Sequence, residues 1–589
     1  MRLCKVIAFS ALLANTSWAA TYYVDQSHPS AADTNPGTED APWKTIARAG
    51  KAPELKPGDT VIIKPGVYRE WVDIAVSGEP GKPITFQAAP GGRVVIKGSE
   101  LVKGPYMRLG QLADVGVEPF PFAFRRVWLV KLGEEFFTDP RFPGCYDDKS
   151  RRWVSQVFCQ DDHPLQMIGP DPIYPPDVFD RRVIIGKGLA DMVPQSFYFD
   201  PKDSTLYLNI GGEPVWYSIE VGVRGFALTA QGVHDVVIRG LEMRHNRQPG
   251  GQWPLVAISG CQRVTIEDCK IYWADFCGLG LHSSKNCIVR RCDISYNGAI
   301  GLALGLTEDC LVEDCTMFFN NYRHFYGDWG VSAGTKNIPG NKRTTIRRCE
   351  VAYNTEAEGI WFDTDNEDIR ILDNVCHDNG DCGIFFEINK GGGVIAGNLV
   401  YSNHGRGIYI SGSQNTWVVH NTVAENDAGI VAMTRAADEP PKNVHILNNL
   451  LLRNYITADT VTRGCDLTLE SYPEPQRRAE LGSTADYNVY ACNTWTPFMR
   501  HNWNDNNTLQ RWQATYGHDL HSKAIPVAYE IFGGRFRLLS AKGLDIAGPL
   551  PPRVKKVWAP RNPRYVGSEI TRWPLETWPE TKPSRERGK

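Results

Sequence analysis

A short phrase recurs through the middle of this 589-residue chain, and its interval restricts the architecture more than any other feature. The copies are Ile266-Glu-Asp-Cys269, Val289-Arg-Arg-Cys292, Val312-Glu-Asp-Cys315, Ile346-Arg-Arg-Cys349, Ile371-Leu-Asp-Asn374, Ile395-Ala-Gly-Asn398, Val418-Val-His-Asn421 and Ile446-Leu-Asn-Asn449. Their last residues are 23, 23, 34, 25, 24, 23 and 28 apart. Five residues further on stands a column of asparagines: Asn297, Asn320, Asn354, Asn379, Asn403, Asn426 and Asn454. A third column, each member followed by an aliphatic residue, is Gly278, Gly301, Gly330, Gly359, Gly383, Gly407 and Gly429. A period near 23 with two or three short β runs per copy is that of a parallel β-helix, in which stacking buries one continuous core. A helical solenoid would show spacing of 3.6 within each copy, and here the spacing is 2. Asn at a turn tolerates left-handed φ and can hydrogen-bond its equivalents in neighbouring coils. Small apolar Cys fills the interior beside it.

The rest of the chain is read around that repeat. Residues 21–100 carry short β-branched runs with Gly/Pro punctuation, such as Thr60-Val-Ile-Ile63, Pro83-Ile-Thr-Phe86 and Val94-Val-Ile96. They resemble the N-terminal coils of secreted right-handed parallel β-helix proteins, including polysaccharide lyases and glycosidases. Residues 101–225 lose the rhythm and read as a β-rich insertion, with a hairpin over 197–209. Residues 226–548 are the main β-helix, and the Pro-, Lys- and Arg-rich residues 549–589 read as an extended tail. The expected fold is all-β: a right-handed parallel β-helix, a pectate-lyase-like solenoid, with an insertion between early coils.

The first twenty residues have Arg2 and Lys5, an apolar run and then small residues, the pattern of a secretory signal cleaved after Ala19 or Ala20. The expected location is periplasmic or extracellular in a bacterium, with no membrane anchor. Export permits disulfides among the 15 cysteines, though no pairing follows from spacing. A net charge of −3 without a long basic block argues against nucleic acid and anionic membranes as partners. The strong basicity that suits polyuronates or sulfated polymers is absent.

Two copies carry chemistry. Gly359-Ile-Trp-Phe-Asp363 and Gly383-Ile-Phe-Phe-Glu387 have the same form, 24 residues apart. Alternation along a strand points Ile360, Phe362, Ile384 and Phe386 inward, and Trp361, Asp363, Phe385 and Glu387 outward. The next coil adds Tyr409 and Ser411 to that face, and the preceding coil, counted from Gly330, adds Ser332 and Gly334. Neighbouring strands lie ~4.8 Å apart. Stacked carboxyl groups therefore fall near the ~5–5.5 Å of retaining glycosidases, short of the ~6.5–9.5 Å of inverting ones. Mutual repulsion raises one of the two pKa values, as a general acid requires. The plain alternatives are two solvated surface acids, or two acids sharing a structural Ca²⁺; no other cofactor is called for. Trp361, Phe385 and Tyr409 form either a sugar platform or a stabilising aromatic ladder. The longest gap in the repeat, between Asn320 and Thr344, supplies Arg323, His324, Asp328, Trp329 and Lys336 as candidates for contacting sugar hydroxyls.

These two strands, on adjacent coils of a secreted β-helix, resemble glycoside hydrolase family 120, the retaining β-xylosidases. The resemblance implies Asp363 as nucleophile and Glu387 as acid/base, acting by double displacement on an oligo- or polysaccharide, most simply from a chain end. That family also carries an acid and a Lys around the strand before the nucleophile; here that strand reads Asp328-Trp-Gly-Val-Ser-Ala-Gly334, a departure. Two other functions stay open on the same scaffold: a polysaccharide lyase, for which Arg323, Lys336 and Arg406 are candidate cations, and a non-catalytic carbohydrate-binding β-helix.

Overall fold

The computed structural model describes residues 19–109, 127–137, 152–170, 183, 185–247, 252–325, 331–436, 439–454, 465–471, 474–491, 499–501, 504–506 and 508–572. The expected leader lies outside them apart from Ala19 and Ala20. Three long sheets, each of 13 strands among the described residues, run from Thr21–Val24 to Thr484–Asp486, from Gly66–Tyr68 to Lys523–Ile525, and from Val72–Ile74 to Asn504–Asn506. A typical coil gives one strand to each: Thr345–Arg347, Glu350–Ala352 and Glu358–Asp363. Strands of successive coils pair in parallel, so the fold is the β-helix that the repeat dictates. The core is the stack of inward aliphatic side chains, with Ile360, Phe362, Ile384, Phe386, Ile408 and Ile410 fully buried. No helix among the described residues is long and apolar enough to cross a membrane.

The turns are built differently from the expectation. The left-handed residue is the one before each column: Asp373 (φ 54°) before Asn374, and Asp378 (φ 49°) before Asn379. The asparagine itself bridges coils. Asn374 donates from its backbone N and its Nδ2 to Asn398 Oδ1, at 2.9 and 3.0 Å, and from Nδ2 to Ile346 O at 3.0 Å. A left-handed non-glycine residue costs about 1–2 kcal/mol, and net hydrogen bonds of about 1 kcal/mol each offset it. A further ladder was not evident in the sequence because its residue type changes. It runs Thr307, Asn341, Asn366, Asn389 and Ser413, each backbone N donating to the next side-chain oxygen at 2.9–3.1 Å. The 12 described cysteines are all buried, none forms a disulfide with another described cysteine, and they serve as small core residues.

The described part of 101–225 contains a five-stranded and most of a three-stranded sheet. The hairpin is formed by Ser196–Asp200 against Thr205–Asn209. A buried ionic knot ties this unit to the coils: Glu220 accepts from Arg69 Nη2 at 3.0 Å, Lys97 Nζ at 2.9 Å and Ser99 Oγ at 2.6 Å. At the other end, the described part of the Pro-rich C-terminal segment is a strap. Trp558 packs with Leu372, Val394, Val419 and Leu550, and Val566 joins a second cluster with Leu399 and Leu450.

One register differs from the sequence reading. In the coil with the long gap, the glycine that stacks is Gly334, because Ala333 pairs with Glu358 and Thr335 with Ile360. The column therefore passes through Gly334 and not Gly330, a shift of four residues. The strand is Ala333–Asn337, and its outward residue is Lys336, paired with Ala303 below and Trp361 above. Ser332, expected outward, is buried and donates to Phe325 O at 3.0 Å.

Candidate active site

The site lies on the outer face of the third sheet, where strands Ala333–Asn337, Glu358–Asp363, Ile384–Glu387, Arg406–Ser411 and Ala428–Met433 stack in order. The glycine column lets these coils approach closely. A Cβ on Gly359 would lie 2.4 Å from Gly383 O and 3.0 Å from Asn379 Nδ2. Register then does the positioning: Trp361 pairs with Phe385 and that with Tyr409, while Asp363 pairs with Glu387 and that with Ser411. Parallel in-register strands hold both acids on one face, about 4.8 Å apart at the backbone. Behind them Asn366 Nδ2 donates to Asp363 O at 3.1 Å and Asn389 Nδ2 to Phe362 O at 2.9 Å, so the unforeseen ladder fixes the corner that carries them.

The two acids have different surroundings. Asp363 is partly exposed; Oδ1 accepts from Thr364 Oγ1 at 2.7 Å and Oδ2 lies 3.7 Å from Lys336 Nζ. Glu387 is 6% exposed and accepts from Arg435 Nε at 2.8 Å. Burial pushes the Glu387 carboxyl up and the Asp363 charge adds to that, with Arg435 and Lys336 opposing. Repulsion between the acids, expected to divide their pKa values, is thus second to desolvation. Lys336 is 7% exposed, with Nζ 3.6 Å from the centre of the Trp361 ring. Burial pushes its pKa down, opposed by Asp363 and then Glu387.

The aromatic residues are stacked, Trp361 on Phe385 at 5.3 Å and Phe385 on Tyr409 at 5.0 Å. Trp361 and Phe385 are buried and Tyr409 is half-buried, with the Arg406 guanidinium 4.5 Å over its ring. The stack therefore stiffens the floor, and only Tyr409 offers open surface. The buried polar atoms here without a hydrogen-bond partner include Trp361 Nε1 and Ser411 Oγ. Native proteins leave few such groups.

Of the other expected residues, His324 is not brought to the acids. Its Nδ1 lies 3.0 Å from Glu356 Oε2, just before strand Glu358–Asp363, whose length of about 17 Å separates the pair from Asp363. Asp328 and Trp329 lie outside the described residues. Sequence reasoning missed Arg435, two coils beyond Glu387, because it follows its strand and belongs to no column. It also missed Glu358 and Asp381 at the start of these strands, and offered Arg406 only as a cation for a lyase. Glu358 accepts from Cys382 N at 2.7 Å, and burial, reinforced by Asp381, pushes its carboxyl up. Glu358, Asp381 and Cys382 bring ligand-type atoms together, as do Asp161, Glu220 and His245. Arg406 acts on the first set and Lys97 occupies the second, so neither resembles the oxygen-only cage that Ca²⁺ takes.

Comparison with known proteins agrees with the architecture. The model of the right-handed beta helix region matches residues 224–349, 256–423 and 330–471, and that of chondroitinase B matches residues 46–113. The uncharacterized protein YwoF of Bacillus subtilis (strain 168) is 38% identical over 78 residues, 13% of this chain and 16% of that protein. Among solved structures, the complex of XylC with xylose is similar at 18% identity over 88% of both chains, TM-score 0.61. A structure described as a glycoside hydrolase is similar at 10% identity over 82% of this chain and 95% of that one, TM-score 0.47. At these identities the likeness is one of fold, and the chain is a right-handed parallel β-helix protein.

Proposed function

We propose that the protein is a retaining glycoside hydrolase, β-xylosidase-like and acting from a chain end, with Asp363 as nucleophile and Glu387 as acid/base. The observation that carries this reading is the register: Asp363 and Glu387 are direct partners on adjacent parallel strands. Their backbone spacing of about 4.8 Å suits the ~5–5.5 Å between carboxyl groups in retaining enzymes. The asymmetry supports the roles. Glu387 is the buried acid whose carboxyl is pushed up, as a proton donor needs, and Asp363 is the more exposed one beside a cation. The lysine that the family resemblance expects before the nucleophile strand, missing from the segment read as 328–334, is supplied by Lys336 once the strand is placed at Ala333–Asn337. The likeness to XylC, solved with xylose, favours a pentoside.

In the first step an Asp363 oxygen attacks the anomeric carbon while the Glu387 proton moves to the departing oxygen. In the second, Glu387 takes a proton from water, which attacks the same carbon and releases Asp363. Turnover of a panel of aryl glycosides by the wild type and by Asp363→Ala and Glu387→Ala tests this, with the anomer of the first-formed product read by NMR. Retention of configuration, loss of at least 10³-fold on Asp363→Ala and rescue of that variant by azide are expected; near-normal turnover by Asp363→Ala ends the assignment.

One observation favours a second reading. The buried Lys336 amine, its pKa pushed down, lies beside a carboxylate, and a lyase uses such a base. Accumulation of ultraviolet-absorbing unsaturated ends from a uronate polymer, in place of reducing sugar from glycosides, would move the assignment there.

A further inference from the structure

Arg435 stands in an unusual place for a residue beside a general acid. It follows strand Ala428–Met433, two coils beyond Glu387, and reaches back so that Nε meets Glu387 Oε1 at 2.8 Å. Its side chain is 55% exposed, while that of Glu387 is 8% exposed. Among the described residues its terminal Nη groups have no partner, so the planar fork that takes carboxylates in pairs faces solvent beside Glu387. Next to it the Ser411 hydroxyl is buried and also without a partner. An exposed, flexible arginine beside a buried acid is held by one bond, and a better anion can take it away.

We propose that the leaving-group side of the substrate carries a carboxylate, as in a glycosyl uronate, and that this carboxylate takes the Arg435 fork from Glu387 on binding. The proposal rests on the glycosidase reading above. With the guanidinium drawn off, Glu387 keeps its proton and passes it to the glycosidic oxygen as the bond to the anomeric carbon breaks and the bond to Asp363 forms. When the uronate product departs, Arg435 returns to the Glu387 carboxylate, now the base that deprotonates water. The groups facing Glu387 are Asp363, Lys336 and Arg435; of the two cations only Arg435 is exposed enough to move. The chain's net charge of −3 gives no general attraction for polyanions, and the inference concerns one carboxylate on one sugar.

The test compares β-xylosyl-1,4-glucuronate with its methyl ester, and the matching β-glucosyl and β-galactosyl pairs, as substrates of the wild type and of Arg435→Ala. The wild type should favour the free acid by at least tenfold in kcat/KM, and Arg435→Ala should bring the ratio to within about twofold of unity. Arg435→Lys should keep part of the preference. An arginine that merely positions Glu387 would, when removed, slow both members equally and leave the ratio where it was. An unchanged ratio in Arg435→Ala, or no preference in the wild type, overturns the proposal while hydrolysis that depends on Asp363 and Glu387 leaves the glycosidase reading intact. Failure to cleave any pair, with the aryl glycosides also untouched, overturns both.

Discussion

The Lys336 ammonium lies 3.6 Å from the centre of the Trp361 ring and 3.7 Å from Asp363 Oδ2, nearly out of reach of water. A cation so placed is held by the ring and by two carboxylates, and it reduces the cost of setting those carboxylates on adjacent strands. Lys336→Met should therefore lower kcat/KM by about 10²-fold, a loss of roughly 3 kcal/mol in transition-state stabilisation. Because Lys336 is one of the groups holding the Glu387 carboxyl down, its removal should also move the alkaline limb of the pH–rate profile upward. A downward move of that limb, or no loss of rate, would contradict the placement.

Glu387 should destabilise the protein that it serves. Burial and Asp363 raise its folded pKa above the unfolded value of 4.5, so the folded state binds the proton more tightly. That contribution is fully present below about pH 4.5 and is lost as pH rises through the folded pKa, above which a charge is buried. Glu387→Gln should be inactive yet more stable than the wild type at pH values above the folded pKa of Glu387. The gain should vanish near pH 4, which thermal melts of the two proteins across pH will reveal.

The sequence and the coordinates part company at instructive places. The parallel coils and the pairing of Asp363 with Glu387 were legible because each rests on a repeat of constant residue type and period. The coil with the long gap was not, because two glycines, Gly330 and Gly334, compete for one column and only stacking against Gly359 decides between them. That slip of four residues left Lys336 among the loop candidates and not on the strand paired with Trp361. Arg435 was invisible for another reason: it reaches Glu387 across coils from outside a strand, and periodicity says nothing about such long side chains. The left-handed residues were misplaced by one position because Asn favours that conformation in isolation, whereas here inter-coil bonding keeps Asn out of it.

The ladder behind the acids should differ from its equivalents in what it controls. Asn366 Oδ1 accepts from Asn341 N at 3.0 Å and Asn341 Nδ2 at 2.8 Å, all fully buried. Asn379 Oδ1 accepts likewise from Asn354 N and Nδ2 at the far end of the same strands. Removing either acceptor leaves two buried donors unmet, so Asn366→Ala and Asn379→Ala should each cost roughly 2–4 kcal/mol in chemical denaturation. Only Asn366 also holds the Asp363 backbone, so at a temperature where both variants are folded Asn366→Ala should lose about tenfold more kcat. Equal kinetic losses would mean that the corner does not aim the aspartate.

The C-terminal strap offers a test remote from the chemistry. Trp558 packs on Leu372, Val394 and Val419, and its Nε1 donates to Asp373 Oδ1 at 2.9 Å. Aromatic truncation in such a cluster costs about 3–5 kcal/mol, so Trp558→Ala should melt earlier and should be cut by protease within 559–572 before the coils open. Burial pushes the Asp373 carboxyl up to about 6, with the Trp558 bond and the Arg347 and Arg348 charges opposing and the Glu569 charge adding. Its folded affinity for the proton thus exceeds that of the unfolded chain. The stability it contributes is present below about pH 4 and disappears as pH rises through 6. Asp373→Asn keeps an acceptor for the indole and removes the titration, so it should flatten that part of the stability profile and leave the protein more stable at pH 7. A variant that still loses stability between pH 4 and 6 as steeply as the wild type would show that Asp373 is not the group whose titration sets that slope.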